Sequence, residues 1–257
     1  MSISYGSLGY GPSHWQHVDL YGLAEPEDTQ APAAAPVAAG AAPVVLVHGG
    51  FWRHDRTAQD LEPLACALVA HGHRVAVVEY RPSWDGGAWP AAADDCRAAL
   101  GALTRSDEGW AGATLVGHSA GAHLLLAAVA GEHRGAAVVL LAPVTDLAEA
   151  ARLGVGDGAV DDFLAAHLAA GGSHEQASPA PAPADIVRLT VVTAGQDQAV
   201  PAGLTEHQLA RWNAQGLAVT SLTAPDARHM HLVNPERPAC RTVVLPLLAD
   251  RDRTAEE

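Results

Sequence analysis

The stretch Ala113-Thr114-Leu115-Val116-Gly117-His118-Ser119-Ala120-Gly121-Ala122-His123-Leu124 divides into an apolar run, a glycine-flanked turn and a second apolar run that continues to Ala130. Read in that order, the pieces predict a buried strand, a sharp turn and a helix. A serine at the apex of such a turn has its hydroxyl lifted clear of the sheet, beside the free N–H groups that open the helix. Gly117 and Gly121 lack a Cβ, so the incoming strand and outgoing helix can approach closely. Ser119 is therefore a candidate nucleophile. In a chain with 25 glycines, Gly-X-Ser-X-Gly alone is a weak pattern, and its weight depends on what surrounds it.

A second glycine turn supplies part of that context. Residues 44–47 (Val-Val-Leu-Val) are a short β-branched run suited to a strand covered on both faces, and they end in His48-Gly49-Gly50-Phe51-Trp52-Arg53. Attack by a serine on a carbonyl creates an oxyanion, which backbone N–H groups stabilise. The candidate donors are the N–H groups of Gly50, Phe51 and Ala120. An isolated Gly-Gly more often just ends a strand; paired with the serine turn, it reads as an oxyanion loop.

The alternation continues along the chain. Residues 5–22 read as one or two antiparallel edge strands, 59–71 as a helix closed by Gly72, 74–80 as a strand and 90–103 as a helix opened by Pro90. Trp84 and Trp89 lie in the loop between the last two and are candidates to line a pocket, although tryptophans beside proline and glycine commonly plug a loop onto the core. A strand follows at 136–141. Residues 144–185 loosen into a short cap-like insertion with one amphipathic helix at 160–169. A strand at 189–193, a helix at 204–215, a strand at 218–222 and a terminal helix at 238–248 complete the pattern. Asp197, in the loop after the 189–193 strand, is placed to be the acid of a Ser…Asp…His order. Asp146 is the runner-up, and Asp226 is too close in sequence to the histidines to partner one. His229 and His231 are the candidate bases. They stand two apart, and in an extended loop alternate side chains point the same way, so periodicity does not separate them.

This order predicts one α/β domain spanning residues 1–257, a mostly parallel central sheet with helices on both faces. Residues 24–43, rich in alanine and proline, read as a flexible surface loop within it. Cys66, Cys96 and Cys240 are odd in number and far apart, as expected of buried apolar residues in a reducing cytoplasm. The first residues carry no signal-peptide pattern and no apolar stretch is long enough to span a bilayer, so a cytoplasmic protein without a membrane partner is expected. A net charge of −14 with 15 basic residues argues against nucleic acid. Although the chain has 14 histidines, no metal-ligand spacing is present, so no metal or cofactor is expected.

Together, 48–52 (His-Gly-Gly-Phe-Trp), 117–124 (Gly-His-Ser-Ala-Gly-Ala-His-Leu), 195–197 (Gly-Gln-Asp) and 229–233 (His-Met-His-Leu-Val) resemble the arylformamidase (kynurenine formamidase) branch of the hormone-sensitive-lipase-like α/β-hydrolases. The resemblance spans residues 44–233. It implies an α/β-hydrolase fold and hydrolysis of N-formylkynurenine to kynurenine and formate, with Ser119, Asp197 and His229 as triad and no cofactor. The family's frame of base, bulky residue, small or polar residue and two aliphatics puts His229 at the catalytic position. His231 then falls at the rim, and Trp52, His231, Trp84 and Trp89 are the candidate substrate contacts. Two other readings stay open: a small-acyl carboxylesterase or amidase acting on another metabolite, and a hydrolase fold used only for binding. The presence of Ser119, Asp197 and His229 together weighs against the second of these.

Overall fold

The computed structural model describes residues 3–23, 41–53, 55–131 and 135–249. The proposed 24–43 loop lies outside these residues as far as position 40. Eight strands form one sheet in the order β1-β2-β4-β3-β5-β6-β7-β8. They are β1 (Ile3–Gly9), β2 (His17–Leu23), β3 (Val44–Val47), β4 (Val75–Val78), β5 (Thr114–His118), β6 (Ala136–Leu141), β7 (Ile186–Ala194) and β8 (Val219–Ala224). β1 and β2 are an antiparallel hairpin that joins the sheet along β4, and every pairing from β4 through β8 is parallel.

Successive residues of β3 serve opposite cores, as the two-residue period of a strand requires. Val45 and Val47 pack into one cluster with helices α2 (Ala91–Ser106), α3 (Ala120–Val129) and α7 (Ala202–Ala214). Val44 and Leu46 pack into the other with α1 (Glu62–Ala70) and α8 (Leu245–Ala249). Both faces are thus covered, which is why the parallel strands read as unbroken apolar runs. The insertion between β6 and β7 contains α4 (Leu147–Arg152), α5 (Ala159–Ala169) and α6 (His174–Ala177), whose buried residues join the α2/α3 side.

Some element boundaries differ from expectation for local reasons. The 59–71 helix begins as a 3₁₀ turn, Ala58–Leu61, and becomes α-helical only at Glu62, with Pro63 in the first turn, where its missing N–H has no intrahelical partner to lose. The loop after β8 closes into a 3₁₀ turn, His229–Leu232, rather than staying extended. All three cysteines are free thiols. No helix among the described residues is long and apolar enough to cross a membrane.

Candidate active site

The loops that leave β3, β5, β7 and β8 converge at the carboxyl edge of the sheet. Ser119 caps α3 with φ 55° and ψ −122°, a left-handed conformation that costs roughly 1–3 kcal/mol for a residue with a side chain. The surrounding backbone holds it there. Its N–H donates to the Leu141 carbonyl at 2.9 Å, and its own carbonyl accepts from Ala122 and Val144 at 3.1 and 3.2 Å. Gly121 explains how two glycine turns come together: a Cβ there would lie 2.3 Å from the carbonyl oxygens of Val47 and His48. Only glycine lets the start of α3 press against the end of β3.

The chain leaving β3 turns through three successive residues with positive φ, Gly50 at 110°, Phe51 at 53° and Trp52 at 59°. Among the described residues, neither the Gly50 nor the Phe51 N–H donates a backbone hydrogen bond. Both residues line a cavity of about 310 Å³ that Ser119 and His229 also line. Ala120, the first residue of α3, is buried beside Ser119.

Asp197 follows β7, and its carboxylate is divided between two tasks. Oδ1 accepts the N–H groups of Ala199 and Val200, both at 2.9 Å, and Oδ2 lies 2.7 Å from His229 Nδ1. The imidazole therefore donates from Nδ1 and keeps the Nε2 lone pair for another partner. Asp146, the alternative acid, is committed elsewhere: its Oδ2 accepts from Arg211 at 2.6 Å and lies 3.0 Å from His207 Nδ1, and its Oδ1 caps α4. Asp226 lines a different hollow. Among the described residues, no group of three or more histidines, cysteines or acids is arranged to hold a metal ion.

Ser119, Asp197, His229, Gly50 and Phe51 are thus brought together, whereas the four expected substrate contacts are not. Trp52 is fully buried and stacks on Phe163, with ring centroids 4.5 Å apart. Unlike Phe51, it does not line the cavity. Trp89 packs on His123 and Phe163 and its backbone N–H donates to the Phe163 carbonyl, so it plugs the loop onto the core. Trp84 is exposed and does not line the cavity. His231 lines a separate hollow with Asp226 and Pro238, and its Nδ1 accepts the Arg228 N–H.

Other residues take the places left open. Met230 lines the cavity next to His229, and Arg53, Asp55, Arg56 and Asp60 make part of its wall charged. His118, the variable position before the serine, lies against His229 with ring centroids 4.6 Å apart, and burial holds it well below the ordinary imidazole range. Sequence reasoning passed over His118, although its place in Gly-X-Ser was the available signal.

The fold recurs across solved structures. A truncated carbohydrate esterase from gut microbiota superposes with a TM-score of 0.70 at 14% identity, over 97% of this chain and 96% of that one. The chain has the α/β-hydrolase fold. Two further α/β-hydrolases agree: Esterase B from Lactobacillus rhamnosis HN001 (TM-score 0.69, 18% identity, 98% and 88% covered) and the carboxylesterase Cest-2923 from Lactobacillus plantarum WCFS1 (0.65, 16%, 95% and 88%). The BD-FAE family model matches residues 31–150, a span of this hydrolase fold that contains both glycine turns. No curated protein matches by sequence.

Proposed function

We propose that this chain is a serine carboxylesterase that hydrolyses small acyl esters through an acyl-enzyme on Ser119. The observation that carries the proposal is the 2.7 Å contact between His229 Nδ1 and Asp197 Oδ2 at a cavity that also holds a left-handed serine. In this reading, His229 Nε2 takes the proton of Ser119 Oγ as the hydroxyl attacks the substrate carbonyl. The N–H groups of Gly50, Phe51 and Ala120 receive the oxyanion. His229 then protonates the leaving alcohol, and water repeats the cycle to release the acid. Asp197 keeps the imidazole in the required tautomer and stabilises it when it is charged.

The names of the structural neighbours favour esters as the substrate class. The second reading is cleavage of the N-formyl group of N-formylkynurenine, and it rests on the sequence motifs that prompted it. Both use the same triad and differ in the acyl group transferred and in the leaving group, an alcohol or an aryl amine, so the substrate must be tested directly. Turnover of p-nitrophenyl acetate, butyrate and octanoate is to be compared with that of N-formylkynurenine. Ester kcat/KM is expected to exceed formamide kcat/KM and to favour the short chains, and Ser119→Ala should lower kcat by about 10⁴-fold or more. A preference for the formamide would select the second reading, and full activity in Ser119→Ala would overturn both.

A further inference from the structure

The permanent charges of the Ser119 cavity are one-sided. Arg53, Asp55, Arg56 and Asp60 all come from the loop between β3 and α1, whereas Ala199 and Met230, which follow β7 and β8, are uncharged. The two arginines of this wall are paired differently from others in the protein. Arg74, Arg81, Arg97, Arg152 and Arg211 each have a guanidinium nitrogen 2.6 to 2.8 Å from a carboxylate oxygen. At the cavity, Arg56 Nη1 is 3.4 Å from Asp60 Oδ1, and Arg53 Nη2 is 3.6 Å from Asp162 Oδ2. A charge-assisted hydrogen bond closes to about 2.7–2.9 Å, so the first contact is slack and the second is too long to be one. A guanidinium carries several N–H donors in a fixed fork. Among the described residues, the protein engages one donor of Arg56 and none of Arg53, and both side chains are part-exposed.

We propose that Arg53 and Arg56 form a carboxylate subsite, so that the esters this protein hydrolyses carry a carboxylate on their acid or their alcohol half. The proposal rests on the esterase reading and narrows its substrate class. The backbone that carries the two side chains is held in place: the Arg53 N–H donates to the Gly50 carbonyl at 2.9 Å, and the Ala58 N–H donates to Glu79 Oε2 at 2.9 Å. The Arg56 stem lies on Gly50, where a Cβ would fall 2.2 Å from Arg56 Cβ and 2.7 Å from its Cγ. Arg56 therefore starts beside a candidate oxyanion donor. Its charge is also felt at the reacting centre: burial is the main reason that His118 sits well below the ordinary imidazole range, and the Arg56 cation adds to it. The guanidinium fork matches the two oxygens of a carboxylate, which would displace the slack Asp60 and close to the short distances seen in the other pairs. Phe51, Ala199 and Met230 offer an uncharged surface for the carbon skeleton between the two ends. Asp55 and Asp60 offset the positive charge of the wall, so recognition depends on the fork at contact range and not on net charge. The overall charge of −14 acts from farther away and is screened beyond about 8–10 Å.

The test compares charged esters with neutral ones of the same shape. For the alcohol half, these are meta-acetoxybenzoate, phenyl acetate and the cationic meta-acetoxyphenyltrimethylammonium; for the acid half, p-nitrophenyl hemiadipate and p-nitrophenyl hexanoate. In one of the two halves, the anionic ester is expected to exceed its neutral counterpart in kcat/KM by about 10- to 100-fold, the scale of a charge-assisted hydrogen bond. Arg56→Gln should lower that anionic-to-neutral ratio by about tenfold or more, and Arg53→Gln should lower it as well. A ratio taken within one variant cancels any change in the triad itself. No anionic preference in either half overturns the subsite, even if no variant folds. So does a preference for the ammonium ester, which would assign the wall to Asp55, and so does a folded Arg56→Gln with the wild-type ratio. The same anionic and neutral esters are then titrated calorimetrically into Ser119→Ala, where the preferred anion should bind about tenfold more tightly or better. A wild-type protein that neither hydrolyses esters nor is labelled by a fluorophosphonate would refute the esterase reading, and the calorimetric comparison would still decide the subsite, equal affinities refuting it.

Discussion

His229 and His231 occupy one 3₁₀ turn and face different surroundings, and the turn itself is the reason. At about three residues per turn, positions two apart are rotated by roughly 240°, so the side chains diverge where an extended loop would have aligned them. Asp197 meets the first, and the Pro225–Pro238 hollow receives the second. His229→Ala is expected to abolish burst acylation by p-nitrophenyl acetate, whereas His231→Ala should leave kcat/KM within about threefold, the scale of a lost surface contact. Stopped-flow measurement of the acyl burst checks both, and a burst retained in His229→Ala would remove it from the triad. The positions of Ser119 and Asp197 at the carboxyl edge of the sheet could be read from residue order because each follows a recognisable buried strand. The burial of Glu79 could not, since an acidic residue at a strand end ordinarily marks solvent; here it is buried by a histidine 31 positions away.

At the scale of elements, the insertion is built onto the 50–52 turn. Phe51 packs against Gly156, Trp52 stacks on Phe163 and Arg53 lies 3.6 Å from Asp162, so three consecutive residues each meet the segment around α5. The amphipathic pattern of α5 was visible in the sequence, but the object that it covers was not, because periodicity says which face is buried and not against what. This also explains why Trp52 serves the core: it is the socket for Phe163. Phe163→Ala removes the stacking partner and leaves a void beside the strained turn. It is expected to cost about 3–5 kcal/mol in urea unfolding and to lower kcat more than it raises KM. Unchanged kcat in that variant would mean that the turn keeps its shape without α5.

For the whole molecule, the order of strands and helices was legible because parallel strands covered on both faces are unbroken apolar runs, and the helices between them are closed by glycine or opened by proline. The internal polar groups were not, and they govern the response to acid. His123 is fully buried among Trp52, Trp89 and Phe163, with Nε2 2.8 Å from the Ala177 carbonyl, and burial lowers it to about 4. Because its folded value lies below the unfolded one, the unfolded chain binds more protons between these values. The stability it contributes is thus complete above about pH 6.5 and is lost as pH falls toward about 4. His118 acts in the same direction. His123→Gln, which retains a donor toward Ala177, should flatten the decline in unfolding free energy between pH 7 and pH 5 by about 2 kcal/mol. Urea titrations at the two pH values test this, and equal slopes in wild type and variant would count against it.

The grip of α5 on the 50–52 turn has a consequence in time as well as in space. Trp52 and Phe163 are separated by more than a hundred positions, so a chain growing from its amino terminus makes both glycine turns well before the residues that brace the first of them exist. Asp197 and His229 emerge later still. A nascent chain carrying only the first five strands has its serine but no working site around it. Esterase turnover during cell-free translation would therefore appear as a single late event, and its onset would report that the last strands had docked.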